Sequence, residues 1–454
     1  MSFFNNIFTP LSRTGRKSAS ATTVKPSSLA PKIYPRSEHC ISRKQISNGA
    51  LKVLYGLDRA GFKAFLVGGA VRDILLEREP KDFDIATDAH PEEIREVFRN
   101  SRLIGRRFRL AHVRSGREVI EVATFRAGHE GNEDGASIAD TGRILRDNVY
   151  GDIEEDVWRR DFTVNALYYN ISDYSVVDYV GGVEDIRNRR LRLIGEPALR
   201  YREDPVRMLR AIRFATKLGL QIDAATREAF DHYGNLLDAI APARLFDESL
   251  KLFHSGHGFE TFEALRNAGL FGRLFPLAEG NFKLDEVAYK LVQAALHNTD
   301  RRIAQSKSVN PAFIFAAILW GAVNNRRELF IADGVHASEA FRLAADEVVM
   351  EQVRSVAIPR RFSTIAREIW FFQPRLSKRT RRNTINVLDH PRFRAAYDFL
   401  LLRAQAGEPL TELGQWWTAY QAAGDEDRSA MLDELHGPSR NRRRPRARRK
   451  KTIE

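Results

Sequence analysis

The chain has 454 residues, 43% of them hydrophobic and 29% charged, and carries a net charge of +13. That length supports roughly two to four domains around a sizeable core, and the charge points to a polyanionic partner while saying nothing of the fold. Cys40 is the only cysteine, which excludes an intrachain disulfide and a cysteine-built zinc site and fits a reducing, cytoplasmic setting. No apolar run reaches the roughly 20 residues of a membrane span, so no transmembrane segment is expected.

Residues 1–42 read as a disordered basic arm of Ser, Thr, Pro and basic residues without periodicity. Leu51, Leu54, Tyr55 and Leu57 then set an amphipathic helix between Ile46 and Ala60. The stretch from Phe65 to Ile85 follows, and the rest of the chain is organised around it. An apolar run (Phe65, Leu66, Val67) predicts a buried strand, Gly68 and Gly69 a turn, and Arg72 and Asp73 lie on a short helix. Asp82-Phe83-Asp84 then leads into a second strand, where alternation places both carboxylates on one face. Two such carboxylates are costly unless a cation lies between them, and oxygen-only ligands suit Mg²⁺ with substrate phosphate oxygens. The glycine turn offers backbone N–H groups to phosphate.

Beyond it, Pro91 opens a helix through Ile94, Val97 and Phe98. Leu103–Val113 and Glu118–Phe125 flank a Ser-Gly turn and predict a hairpin. Glu121 shares a face with Val119, Ala123 and Phe125; it is either a third carboxylate beside Asp82 and Asp84 or a solvated strand residue. Gly105–Arg109 is a cationic cluster, facing phosphate or solvent, and Gly128–Gly142 a Gly-rich mobile loop. Arg190–Ile194 predicts the last strand of this region. Asp204 is placed as an N-cap and Pro205 as the first residue of a helix with Met208, Leu209, Ile212 and Ala215 on its apolar stripe. Arg207, Arg210 and Arg213 wind around its other side. From there to about Ala430 the pattern is helical, for example over 244–253, 285–296, 338–353 and 393–404; Pro311–Val323 reads as a buried helix, and Trp416 and Trp417 read as core. The segment from Pro438 is an Arg-rich electrostatic arm.

Four motifs in order carry a family resemblance: Val67-Gly-Gly-Ala-Val-Arg-Asp73 with Asp82-Phe-Asp84, Arg159-Arg-Asp-Phe-Thr-Val-Asn165, Asp178-Tyr-Val-Gly-Gly182, and Glu203-Asp-Pro-Val-Arg207 with Arg210 and Arg213. They cover roughly residues 45–255 and resemble the class II tRNA nucleotidyltransferase and bacterial poly(A) polymerase family. The resemblance implies an α+β fold: a nucleotidyltransferase head of mixed β-sheet and helices, followed by a large all-α neck and body. It divides the chain into an N-terminal arm (1–42), catalytic head (43–195), neck for base recognition (196–265), RNA-binding body (266–436) and Arg-rich tail (437–454).

It further implies that Asp82 and Asp84 bind Mg²⁺, with Mn²⁺ as a substitute. Gly68, Gly69 and Arg72 contact the triphosphate, and Arg159, Arg160 and Asp161 bind the sugar and organise the site. Asp204, Arg207, Arg210 and Arg213 form a template for the base. Either Asp161 or Glu121 serves as third catalytic carboxylate. The implied reaction transfers AMP from ATP to RNA 3′ ends, releasing pyrophosphate. Leu103–Val113, the long helical half and the basic tail favour the poly(A) branch, with CCA addition to tRNA as the alternative. RNA-degradation and RNA-chaperone proteins are the protein partners such an enzyme would have.

Overall fold

Four consecutive buried residues make β2 (Ala64–Val67) an interior strand, and it lies near the middle of an eight-stranded mixed sheet. The computed structural model describes residues 30–105, 109–127, 136–138, 144–147 and 149–436. Besides β2, the sheet contains β1 (Lys32–Tyr34), β3 (Asp84–Thr87), β4 (Ser101–Ile104), β5 (Leu110–Ser115) and β6 (Glu118–Thr124). A separate hairpin of β7 (Ala136–Ile138) and β8 (Ile144–Asp147) intervenes before β9 (Leu167–Asn170) and β10 (Val176–Asp178) complete the sheet. The order is β1-β10-β9-β2-β3-β6-β5-β4. Only β3 and β6 run parallel; the other neighbours are antiparallel.

Alternation gives the sheet two differently covered faces. Leu66, Ile85, Ile120, Val122 and Tyr169 pack beneath α1 (Asn48–Arg59), α2 (Gly69–Leu75) and α3 (Pro91–Val97), through Val53, Leu54, Leu57, Val71, Ile74 and Ile94. Phe65, Val67, Ala86, Phe125, Tyr168 and Val177 face the other way, against Val157 of α4 (Ile153–Arg159). Asp84 belongs by alternation to this second face, as does Glu121. The chain continues through α5 (Gly182–Arg187) to α6 (Pro197–Glu203), α7 (Val206–Leu218), α8 (Ala224–Tyr233) and α9 (Pro242–Phe253), and then stays helical to His436. The core beneath α1 is continuous with that of the helical half, up to Ala406.

Several expectations need correction. Residues 30–42 are ordered: Lys32–Tyr34 pairs with Val176–Asp178 at the sheet edge, and Ser42 and Gln45 form a capping box. A three-residue edge strand is too short to show a period, which is why it read as part of the arm; residues 1–29 lie outside the described residues. Leu103–Val113 contains parts of two strands, β4 and β5, which pair with each other before β5 turns back to β6. The loop expected over 128–142 includes β7, the remainder lying outside the described residues, as do 106–108 of the cationic cluster and 437–454. The strand expected over 190–194 shrinks to β11 (Arg190–Leu191), which joins β12 (Gln221–Ile222) in a separate two-stranded sheet.

The helical expectations hold. Pro311–Ala332 is a helix whose residues from Ile314 to Val323 are all buried. Among the described residues, no helix is long and apolar enough to cross a membrane. Trp417 is buried with its indole N–H donating to Leu376 O, and Trp416 stacks on Tyr420 at 4.7 Å between centroids.

Candidate active site

The parallel pairing of β3 with β6 sets Asp84 directly opposite Glu121, 37 positions later in sequence. Asp82 is not on that strand. β3 begins at Asp84, so the charged turn extends through Phe83 and delivers Asp82 from the loop side; the shared-strand geometry expected for the pair is replaced by a loop residue beside a strand residue. The three carboxylates nevertheless sense one another. The Asp84 carboxyl is pushed up to about 6, first by lost hydration, then by the negative charge of Glu121 and, more weakly, of Asp82, with Arg160 opposing. Asp84 keeps an open outer edge, and a divalent cation there would relieve the repulsion using oxygen donors of the hard kind such ions prefer. Among the described residues no group of three or more His, Cys, Asp or Glu side chains is gathered closely enough to hold a metal ion.

The turn between β2 and α2 adjoins Asp84, because Val67 pairs with it. Gly68 has φ +67°, a left-handed conformation that disfavours a side chain, and a Cβ there would stand 3.5 Å from Arg160 Nη1. Arg72 is buried. It donates through Nη1 to Asn165 Oδ1 at 2.6 Å and through Nε and Nη2 to Asp73 Oδ1, and its guanidinium lies over Phe214 of α7. Arg160 donates to Asp156 Oδ2 at 2.9 Å and to the Tyr168 hydroxyl at 2.7 Å. Against its burial, Tyr168 and Asp156 raise its pKa above the ordinary value. Both guanidiniums are therefore rigidly seated beside the Gly-Gly turn.

Asp161 is differently placed. Its Oδ2 accepts from Arg210 Nε and Nη2 at 2.8 and 2.5 Å, and its Oδ1 from Phe162 N and Asn165 Nδ2. Burial acts to raise its pKa, but Arg210, Asn165 and the Phe162 N–H more than offset this and hold it at about 2. Its neighbour Arg159 is lowered to about 9 by burial and by the surrounding Arg126, Arg200, Arg207 and Arg160, a concentration of positive charge that includes Arg200 of α6 and Arg207 of α7.

The residues expected to read the base are largely engaged with each other's surroundings. α7 starts at Val206, with Asp204 and Pro205 forming the break after α6; Asp204 Oδ1 still accepts from Val206 N, and its Oδ2 accepts from Arg244 Nη2 at 2.7 Å. Arg207 is buried and donates to Glu203 Oε2 and Arg200 O, both at 2.8 Å. Arg210 serves Asp161, whereas Arg213 lies over Phe214 with Nε lacking a hydrogen-bond partner among the described residues. The Asp178 motif is structural. Its carboxylate accepts from the N–H groups of Val180, Gly181, Gly182 and Val183, and a Cβ on Gly182 would lie 2.3 Å from Thr163 O.

Sequence reasoning missed Arg200, Arg244 and His112, and it gave no role of their own to Asn165 and Glu203, which lie inside the second and fourth motifs. Glu203 stands three residues after Arg200 and four before Arg207 on adjoining helical turns, a spacing open to reading. Arg244 and His112 gave no such signal.

Three family models match the sequence: the poly A polymerase head domain over residues 64–192, a probable RNA and SrmB-binding site of polymerase A over 219–280, and the polymerase A arginine-rich C-terminus over 333–451. Poly(A) polymerase I of Salmonella typhimurium is 49% identical over 427 residues, covering 92% of both chains. That of Haemophilus influenzae is 46% identical over 93% of this chain and 95% of its own length. A CCA-adding enzyme from Lactobacillus helveticus is 38% identical over 47% of this chain and 52% of its own. Among solved structures, the Bacillus stearothermophilus CCA-adding enzyme in complex with CTP aligns with TM-score 0.52 at 24% identity, covering 81% of this chain and 80% of its own. The Thermotoga maritima CCA-adding enzyme complexed with tRNA aligns at 0.57 and 18%, covering 90% and 96%. These structural likenesses speak for the fold.

A mixed sheet presenting Asp84 and Glu121 side by side next to a Gly-Gly turn, followed by a large helical region, together with the matched poly A polymerase head domain, defines a nucleotidyltransferase. Within that class the sequence match to the Lactobacillus helveticus CCA-adding enzyme covers 47% of the chain, against 92% and 93% for the two poly(A) polymerases I, which favours the poly(A) branch. The chain belongs to the bacterial poly(A) polymerase family. Its activity is that of a polynucleotide adenylyltransferase.

Proposed function

We propose that Asp82, Asp84 and Glu121 together hold the divalent ion, Mg²⁺ with Mn²⁺ as a substitute, for transfer of AMP from ATP to an RNA 3′ end. The observation that carries this reading is Asp84 flanked by Glu121 and Asp82 with its carboxyl pushed up to about 6. Glu121 is preferred to Asp161 as third carboxylate because both Asp161 oxygens already accept hydrogen bonds from Arg210, Asn165 and Phe162. When bound, the metal favours ionisation of the 3′-hydroxyl and polarises the α-phosphate. The 3′-oxygen bonds to the α-phosphorus as the bridge to the β-phosphate breaks, and pyrophosphate leaves. Gly68 and Gly69 let backbone approach the phosphates, and Arg72 and Arg160 offset the charge on the leaving group.

Arg159 lies among Arg126, Arg200 and Arg207, whose like charges add to burial in lowering its pKa, and binds the ribose and phosphates, whose negative charge relieves that repulsion. Asp204, Arg207, Arg210 and Arg213 shape the base site, with Arg213 as the side chain available for direct contact and the others setting its walls. The division into head (43–195), neck (196–265) and body (266–436) follows these roles. Body and Arg-rich tail grip RNA without reading its sequence, and residues 219–280 form the surface for RNA and for RNA-degradation or chaperone proteins. The setting is the cytoplasm. Extension of a labelled RNA with ATP and Mg²⁺ tests the assignment: Asp84→Asn and Glu121→Gln lose extension while still binding RNA. Full activity in Glu121→Gln would remove Glu121 from the metal site.

A further inference from the structure

The carboxylate pair is one part of a longer row. β5 and β6 pair antiparallel with His112 opposite Glu121, and β3 and β6 pair parallel with Glu121 opposite Asp84. Directly opposed residues share a face, so His112, Glu121 and Asp84 form a line across three strands, spaced by roughly 4.8 Å per strand. Arg102 of β4 stands opposite His112 and ends the row. The His112 Nε2 atom is 3.2 Å from Glu121 Oε1. It is shielded from solvent and has no conventional hydrogen-bond partner among the described residues. The strand cannot slip to move it, because Ala111 and Val113 on either side are buried in the core of the opposite face.

Glutamate has a flexible side chain, and Glu121 is half exposed. Nothing else in the described structure pins its carboxylate, so without His112 it would spend much of its time turned toward water. From its 3.2 Å separation an imidazole N–H turned onto Oε1 would restrain that freedom and leave the rest of the carboxylate toward Asp84. Carboxylates that bind metals are commonly held by such outer hydrogen bonds, and losing one typically weakens metal affinity or activity by roughly 10- to 100-fold.

We propose that His112 is a positioning residue for the metal site, acting through Glu121 to aim its carboxylate at the ion shared with Asp84. This rests on the assignment of Glu121 to the metal site. The test is equilibrium binding of Mn²⁺ to the full-length protein, read by electron paramagnetic resonance. An ATP analogue with a methylene α,β bridge is present, so no turnover is needed. Wild type is compared with His112→Ala, His112→Gln, Glu121→Gln and the His112→Ala/Glu121→Gln double variant, each checked for folding by circular dichroism. His112→Ala is expected to weaken Mn²⁺ roughly tenfold, with analogue affinity measured without metal unchanged. His112→Gln, which restores an N–H donor, recovers most of the loss. On the Glu121→Gln background, His112→Ala adds nothing further. Wild-type Mn²⁺ affinity in His112→Ala, no recovery in His112→Gln, or a loss that adds fully to that of Glu121→Gln would each overturn the proposal. Wild-type affinity in Glu121→Gln would instead overturn the assignment of Glu121 on which it rests, so the two failures are told apart.

Discussion

Replacing Asp84 with asparagine should make the metal-free protein more stable while destroying its activity. The Asp84 carboxyl titrates at about 6 instead of 3.8, so the folded state holds this proton more tightly than the unfolded chain does. The associated penalty, lost hydration first and then repulsion from Glu121 and Asp82, is absent below 3.8, grows as pH rises to about 6, and is fully present above it. The step from 3.8 to about 6 is worth about 3 kcal/mol at most. Because Asp84 is open to solvent on one side, screening reduces this to about 1 kcal/mol. For a chain of this size, that moves a thermal midpoint by about 2 °C. Differential scanning calorimetry in EDTA at pH 8 should show Asp84→Asn melting above wild type, with the gap falling to about half at pH 5 and closing below about pH 4. Added Mg²⁺ should raise the wild-type midpoint more than that of the variant. An Asp84→Asn midpoint equal to or below wild type in EDTA at pH 8, or a gap unchanged at pH 4, would refute a penalty on the ionised Asp84 carboxylate from lost hydration and its neighbours' charge in the absence of metal.

Other perturbations separate the remaining roles. Asp161→Ala strands the Arg210 guanidinium in a largely enclosed site and should cost about 3 kcal/mol in urea unfolding. Asp161 titrates at about 2 in the folded state, so its stabilising contribution is present above 3.8 and fades as pH falls toward 2. Arg244→Ala releases Asp204 from its 2.7 Å partner and should lower the preference for ATP over CTP several-fold in kcat/KM with the metal requirement unchanged; unaltered selectivity in single-nucleotide incorporation would show that the pair does not shape the base site. Deleting 437–454, which contains nine Arg and Lys residues from Arg440 to Lys451, should weaken RNA binding at low salt and flatten its dependence on salt concentration in a filter-binding titration.

Local pattern carried much of this in the sequence. The strand, Gly-Gly turn and short helix follow from an apolar run and two glycines, and the helical half from its periodicity and Gly/Pro punctuation. Glu121 emerged because a period of two put it on one face with Ala123 and Phe125. That this face meets Asp84 depends on a parallel pairing between strands separated by α3, β4 and β5, which no local pattern encodes. The same limit explains the base site. Asp204, Arg207 and Arg210 looked like free recognition groups, but their partners include Arg244 and Asp161, both about 40 residues or more away. Asp82 fell off its expected strand because strand ends are set by pairing: β2 offers a partner only as far as Val67, opposite Asp84. His112 read as one position in an alternating strand until the register placed it beside Glu121.

The most direct measurement is extension of an unstructured labelled RNA with Mg²⁺ and each nucleoside triphosphate offered alone, alongside a tRNA lacking its 3′ CCA. The account predicts a long ladder of A residues on the generic RNA with ATP alone, absent in Asp82→Ala and Asp84→Asn. Addition that requires CTP, stops after three nucleotides and occurs only on the tRNA would contradict it.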